Sequence, residues 1–174
     1  ARALTSVLAA NPEAIEAVRR HLESKSAQRQ LALSVLVKLG DKSVLKDALA
    51  AYEEGLEERI KLKCKRLKIH DTLWGATSFK LTPERRREIR KDYYAHLRRE
   101  AAARFNLEYF SDTLRNLTEE DLDVVVRFLA STERSEMLPV AYAIFSRMTP
   151  EKAAELKPLL ENAKLEALRQ MSQS

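Results

Sequence analysis

The sequence predicts an all-α fold, a single domain of about seven helices around one long central helix. Three observations carry this. Helix-start punctuation recurs at Asn11-Pro12-Glu13, Thr82-Pro83-Glu84, Thr118-Glu119-Glu120 and Thr149-Pro150-Glu151. In each, a side-chain oxygen can accept a free amide of the first turn and an early carboxylate favours the positive helix end; proline, where present, loses nothing by lacking an N–H. Only three glycines occur in 174 residues, and no run of alternating β-branched residues signals a strand. Together these exclude most catalytic scaffolds that need glycine-rich loops at strand ends.

The elements follow in order. After a short N-terminal run, the first helix opens at Asn11 and carries Ile15, Val18 and Leu22, with a break at Ser24 to Ser26. The second carries Leu31, Val35, Leu36 and Leu39 and stops at Gly40, a natural left-handed terminator. Asp41 or Ser43 caps the third. That helix is the long one, about 43–69, with a stripe of Leu45, Ala48, Leu49, Tyr52, Leu56, Ile60, Cys64 and Leu67 expected to face inward. Gly55 inside it costs about 1 kcal/mol relative to alanine. Residues 70–82 read as the one substantial loop, folded back through Leu73, Trp74, Phe79 and Leu81.

The fourth helix starts at Thr82-Pro83 with a buried line of Ile89, Tyr93, Leu97, Ala101 and Phe105, running on to Asn116 or breaking near Asn106. Thr118 caps the fifth, with Asp121 answering in a capping box and Leu117 stapling to Leu122; Leu122, Val125, Val126 and Leu129 point inward. The sixth, roughly 134–148, buries Met137, Leu138, Ala141, Phe145 and Met148, with Pro139 near its first turn. The seventh starts at Thr149-Pro150, uses Leu156, Leu160, Ala163, Ala167 and Met171, and must kink or restart at Pro158.

The chain reads as one helical domain over 1–174, with 1–70 and 83–174 as its natural halves. A chain of this length buries roughly 70% of the surface its unfolded form exposes, so no staple is required. Cys64 stands alone, which excludes an internal disulfide and a cysteine-built metal site. No stretch approaches the length of an apolar membrane span, and none reads as a signal peptide. Residues 12–50 resemble one HEAT-type hairpin, which by itself establishes no stacked array.

Charge is the sharpest functional lead. The net charge is +5, but residues 59–104 hold 15 Lys and Arg against 5 acids. Lys65, Arg66, Lys68, Trp74, Arg85, Arg86, Arg90 and Arg99 are the candidate contacts for a partner or polyanion. Arg85, Arg86 and Arg87 sit unfavourably for the helix dipole, and the acids at 119–123 are their expected internal partners. His21, His70 and His96 lack a metal-ligand companion at helical spacing, and Cys64 is expected to be a buried, inert thiol. Ser43-Val44-Leu45-Lys46 matches a serine-hydrolase motif by chance, since the companion motifs and a sheet are missing.

The segment Leu31 to Leu45, followed by a long helix, resembles the opening of a family of small exported bacterial helical proteins known only as a domain of unknown function. Tyr109-Phe110, Leu117 to Leu122 and Arg127-Phe128-Leu129-Ala130-Ser131 resemble that family's C-terminal half. The likeness covers about residues 28–148. Where the family continues with Pro or a small residue, then Gly and a basic residue, Thr132-Glu133-Arg134-Ser135 stands here. The resemblance implies an all-helical fold and an exported, periplasmic location, and brings no activity or ligand. The sequence therefore favours a helical interaction or structural module with a protein or peptide partner, no cofactor and no catalysis. A nucleic-acid binder using residues 61–104 is the alternative.

Overall fold

Among the described residues, 11–23 and 27–173 of a computed structural model, the chain forms eight α-helices with short 3-10 turns and no strand. They are α1 (Pro12–Arg20), α2 (Ala27–Lys38), α3 (Leu45–Trp74), α4 (Pro83–Leu114), α5 (Glu119–Ser131), α6 (Leu138–Phe145), α7 (Pro150–Leu156) and α8 (Glu166–Gln173). The expected N-terminal run and the break at 24–26 lie outside the described residues.

The caps act as the sequence reads. Asn11 Oδ1 accepts the amides of Glu13 and Ala14 at 3.1 and 3.3 Å. Gly40, at φ 89°, closes α2, with its own amide on the Val37 carbonyl and that of Asp41 on Leu36. Asp41 then caps the turn into α3 by accepting the Ser43 amide and hydroxyl. The Thr118–Asp121 box opens α5, with Asp121 accepting the Thr118 amide at 3.2 Å and its hydroxyl at 2.6 Å. Pro139 lies in the first turn of α6. Pro158 splits the expected seventh helix: α7 ends at Leu156, a 3-10 turn covers Lys157–Leu160, and α8 follows.

α2 is buried almost all round, from Ala32 through Val37. Around it, Leu45, Leu49 and Tyr52 of α3 meet Leu107, Phe110 and Leu114 of α4, and the Tyr52 and Phe110 rings lie 5.1 Å apart. Val125, Val126 and Leu129 of α5, with Met137, Ala141, Leu156, Leu160 and Leu168, complete this core. Leu122, expected to be fully inside, is only partly buried against it.

The long helix is longer than its apolar stripe predicts. It spans 30 residues, about 45 Å at 1.5 Å per residue, and the expected loop shrinks to 75–82. Leu73 accounts for the extension: it is only 3% exposed, so the last turn is held down and the helix persists until Gly75. α4 runs unbroken for 32 residues through Asn106. Only Leu73 of the expected loop anchors is buried; Trp74 is 50% and Phe79 75% exposed.

Candidate functional site: a two-helix arm

Beyond the core, α3 and α4 continue together as an antiparallel arm. The covered or half-covered positions are Arg59, Leu62, Arg66, Ile69 and Leu73 on α3, facing Arg86, Ile89, Tyr93, His96, Glu100, Ala103 and Leu107 on α4. Their spacings alternate three and four, the repeat of helices that coil around one another. The expected inward lines were built on spacings of four: Tyr52, Leu56, Ile60, Cys64, and Tyr93, Leu97, Ala101, Phe105. A row at spacing four turns about 40° per step around the helix, about 120° over three steps. Both rows therefore wind out of the seam. Cys64 and Ala101 are exposed, as are Ile60 (45%), Leu67 (44%), Leu97 (39%) and Phe105 (58%).

The seam contains polar partners. Arg66 Nε meets Glu100 Oε2 at 2.5 Å with both side chains mostly covered. The Glu100 carboxylate is the main cause of a raised Arg66 pKa, with a smaller contribution from Tyr93. His96 is 3% exposed, its Nδ1 3.0 Å from the Asp92 carbonyl and 3.2 Å from its carboxylate. Near the tip the rings of His70, Trp74, Tyr93 and Tyr94 form a chain with centroids 4.8 to 6.2 Å apart.

The two sides of the arm differ. Residues immediately after each seam position share one side in antiparallel pairing, and the ring chain joins them across the helices. They are Ile60, Lys63, Leu67, His70 and Trp74 on α3, and Arg87, Arg90, Tyr94, Leu97, Ala101, Arg104 and Glu108 on α4. This side carries exposed apolar groups and cations, and its one carboxylate, Glu108 at the base of the arm, pairs with Arg104 at 3.2 Å. Residues just before each seam position make the other side: Glu58, Lys61, Lys65, Lys68 and Thr72, with Arg85, Glu88, Asp92, Ala95, Arg99 and Ala102. That side mixes both charges and holds no large apolar residue.

The eight candidate residues thus separate. Trp74 and Arg90 lie on the apolar, cationic side. Lys65, Lys68, Arg85 and Arg99 lie on the mixed side, where Arg85 pairs with Glu88 at 2.7 Å. Arg66 and Arg86 belong to the seam, Arg86 donating to the Ser78 carbonyl at 2.8 Å. The expected pairing of Arg85–Arg87 with the acids at 119–123 does not form. Those acids start α5 at the body, where Glu120 takes Lys42 and Asp123 takes Arg127, while Arg85–Arg87 stand at the far end of α4. Sequence reasoning missed Ile60, Lys63, Leu67, Tyr94 and Leu97 as one surface. The seven-residue spacing of Ile60, Leu67 and Trp74 was the available signal.

Among the described residues no group of His, Cys, Asp and Glu could hold a metal ion, and no helix is long and apolar enough to cross a membrane. A cleft of about 210 Å³ beside Tyr52 is lined by apolar groups with Ser111, Arg115 and Arg147, without His, Cys or carboxylate. Comparison of the chain with protein-family models, curated proteins and solved structures finds no match.

Proposed function

We propose that this protein is a non-catalytic helical interaction module whose arm offers the side bearing Ile60, Leu67, Trp74, Tyr94 and Leu97 to an anionic partner. The carrying observation is the sidedness of the arm. Lys63, Arg87 and Arg90 make no ion pair among the described residues, and the one carboxylate on their side, Glu108, is taken by Arg104 at 3.2 Å. Exposed apolar side chains interleaved with such cations suit a recognition surface better than a solvated helix face. An exported, periplasmic location belongs to the same proposal and rests on the family resemblance of residues 28–148.

Heparin affinity chromatography tests the sidedness. Changing Lys63, Arg87 and Arg90 to Gln should lower the eluting salt more than changing Lys65, Lys68 and Arg99 to Gln. Both triples remove three cations, so equal shifts would reduce the effect to net charge and sink the reading.

A second reading, single-stranded nucleic-acid binding, is favoured by the half-exposed Trp74 and Tyr94 rings beside Arg90. On the preferred reading, affinity for single strands near physiological salt stays at a dissociation constant of about 10 μM or weaker.

A further inference from the structure

Resting on the arm as an anion-recognising surface, we infer that its partner is an acidic amphipathic helix that lies along α3 and α4 and completes a three-helix coiled coil. The register carries this. Ile60, Leu67 and Trp74 recur every seven residues on α3, and Arg90, Leu97 and Arg104 do so on α4, with Tyr94 and Ala101 between them. An exposed apolar row at seven-residue spacing beside an existing seam, here Ile60, Leu67 and Trp74 with Leu97 across from them, is the kind of row into which another helix inserts its own side chains. From Ile60 to Trp74 the row is roughly 21 Å long, about four helical turns. Such a helix would bury the apolar members, and its carboxylates would meet Lys63, Arg87 and Arg90.

Other occupants fit less well. A nucleic acid would use the rings and cations but leaves Ile60, Leu67 and Leu97 unexplained. A lipid surface draws on protruding side chains, whereas these are only 39 to 50% exposed. A second copy meets two obstacles: its matching side carries the same cations, and its carboxylate-bearing side (Glu58, Glu88, Asp92) has no large apolar group to insert.

The test uses a labelled 21-residue peptide of three heptads, with Leu at the first and fourth positions and Glu and Ala elsewhere. Binding is read by anisotropy and by emission of Trp74, the chain's only tryptophan. The peptide should bind and shift Trp74 emission to the blue. A peptide of the same composition with scrambled Leu positions should bind at least about tenfold more weakly, equivalent to about 1.4 kcal/mol. Leu67→Glu and Arg90→Gln should each weaken binding severalfold, while Lys65→Gln leaves it within about twofold. Leu67 and Arg90 are exposed, and an unchanged melting curve for each variant would exclude misfolding. Equal binding of both peptides overturns the helix and leaves charge recognition standing. So does a Trp74 shift with poly(U) or phosphatidylglycerol vesicles but not with the heptad peptide. No binding by the peptides, poly(U), the vesicles or heparin overturns both the helix and the anion-recognising surface.

Discussion

Gln30 occupies the space that Gly55 leaves open. The buried Gln30 amide donates to the Ala51 carbonyl at 3.1 Å, one turn before Gly55 on α3, and a Cβ at position 55 would run into its Nε2. The glycine that looks like a helix defect is therefore a packing requirement between α2 and α3. Gly55→Ala gains about 1 kcal/mol of helix propensity yet should lower stability by about 1–2 kcal/mol, through displacement of a buried hydrogen-bonded amide. In a denaturant double-mutant cycle, adding Gln30→Ala should recover part of that loss. An additive cycle would disconnect the two residues.

Cys64 is free and exposed on the outer surface of the arm. A thiol reagent should therefore modify it in the native protein within about tenfold of its rate in the unfolded chain. Protection by several orders of magnitude would mean that the arm is covered at Cys64.

Helix α5 offers a graded test of the core. Val126 and Leu129 are fully buried, whereas Leu122 is only partly so. Leu129→Ala should cost roughly 2–5 kcal/mol, and Leu122→Ala less, about 1–2 kcal/mol. Equal losses would place both side chains at the same depth.

Arg66 and Glu100 should behave as a unit. Glu100→Leu alone leaves the mostly covered Arg66 guanidinium without its carboxylate and should destabilise by roughly 1–3 kcal/mol. Arg66→Leu added to it should restore most of the loss, since an apolar seam pair needs no partner. Thermal melts of the singles and the double decide this; a double worse than either single would contradict it.

Acid should weaken the contacts of three surface carboxylates. Lys61 first and then Arg134 hold the Glu57 carboxyl below its usual 4.5, Lys164 does so for Glu133, and Arg127 holds Asp123 below 3.8. A carboxylate with a depressed folded pKa stabilises the fold above its unfolded value, and that contribution disappears as pH falls through the folded one. The melting temperature should therefore be level above about pH 5 and decline below about pH 4. Glu57→Gln with Glu133→Gln should make the decline shallower. An identical acid limb in that variant would assign the effect to other groups.

The caps show how far local chemistry reaches. Asn11, Gly40, Asp41, Thr118 and Thr149 each bound an element as expected, because a cap is decided within about four residues. The Pro158 restart was legible for the same reason: a missing amide and a ring clash are local. The candidate surface was legible only as composition. Its charge was plain in residues 59–104, but which cations stand together was not.

The all-helical class, the long helix, the caps and the basic middle of the chain were determined by the sequence itself. The tertiary structure decided the direction in which each long helix turns its apolar residues. That choice separates Ile60, Leu67 and Leu97, which face out, from Leu62, Ile69 and Leu73, which face the seam. Two apolar rows compete on one helix, and their positions along the chain fit either as the buried one. Only the partner resolves it: coiling against α4 favours the row that alternates three and four, and leaves the other facing outward.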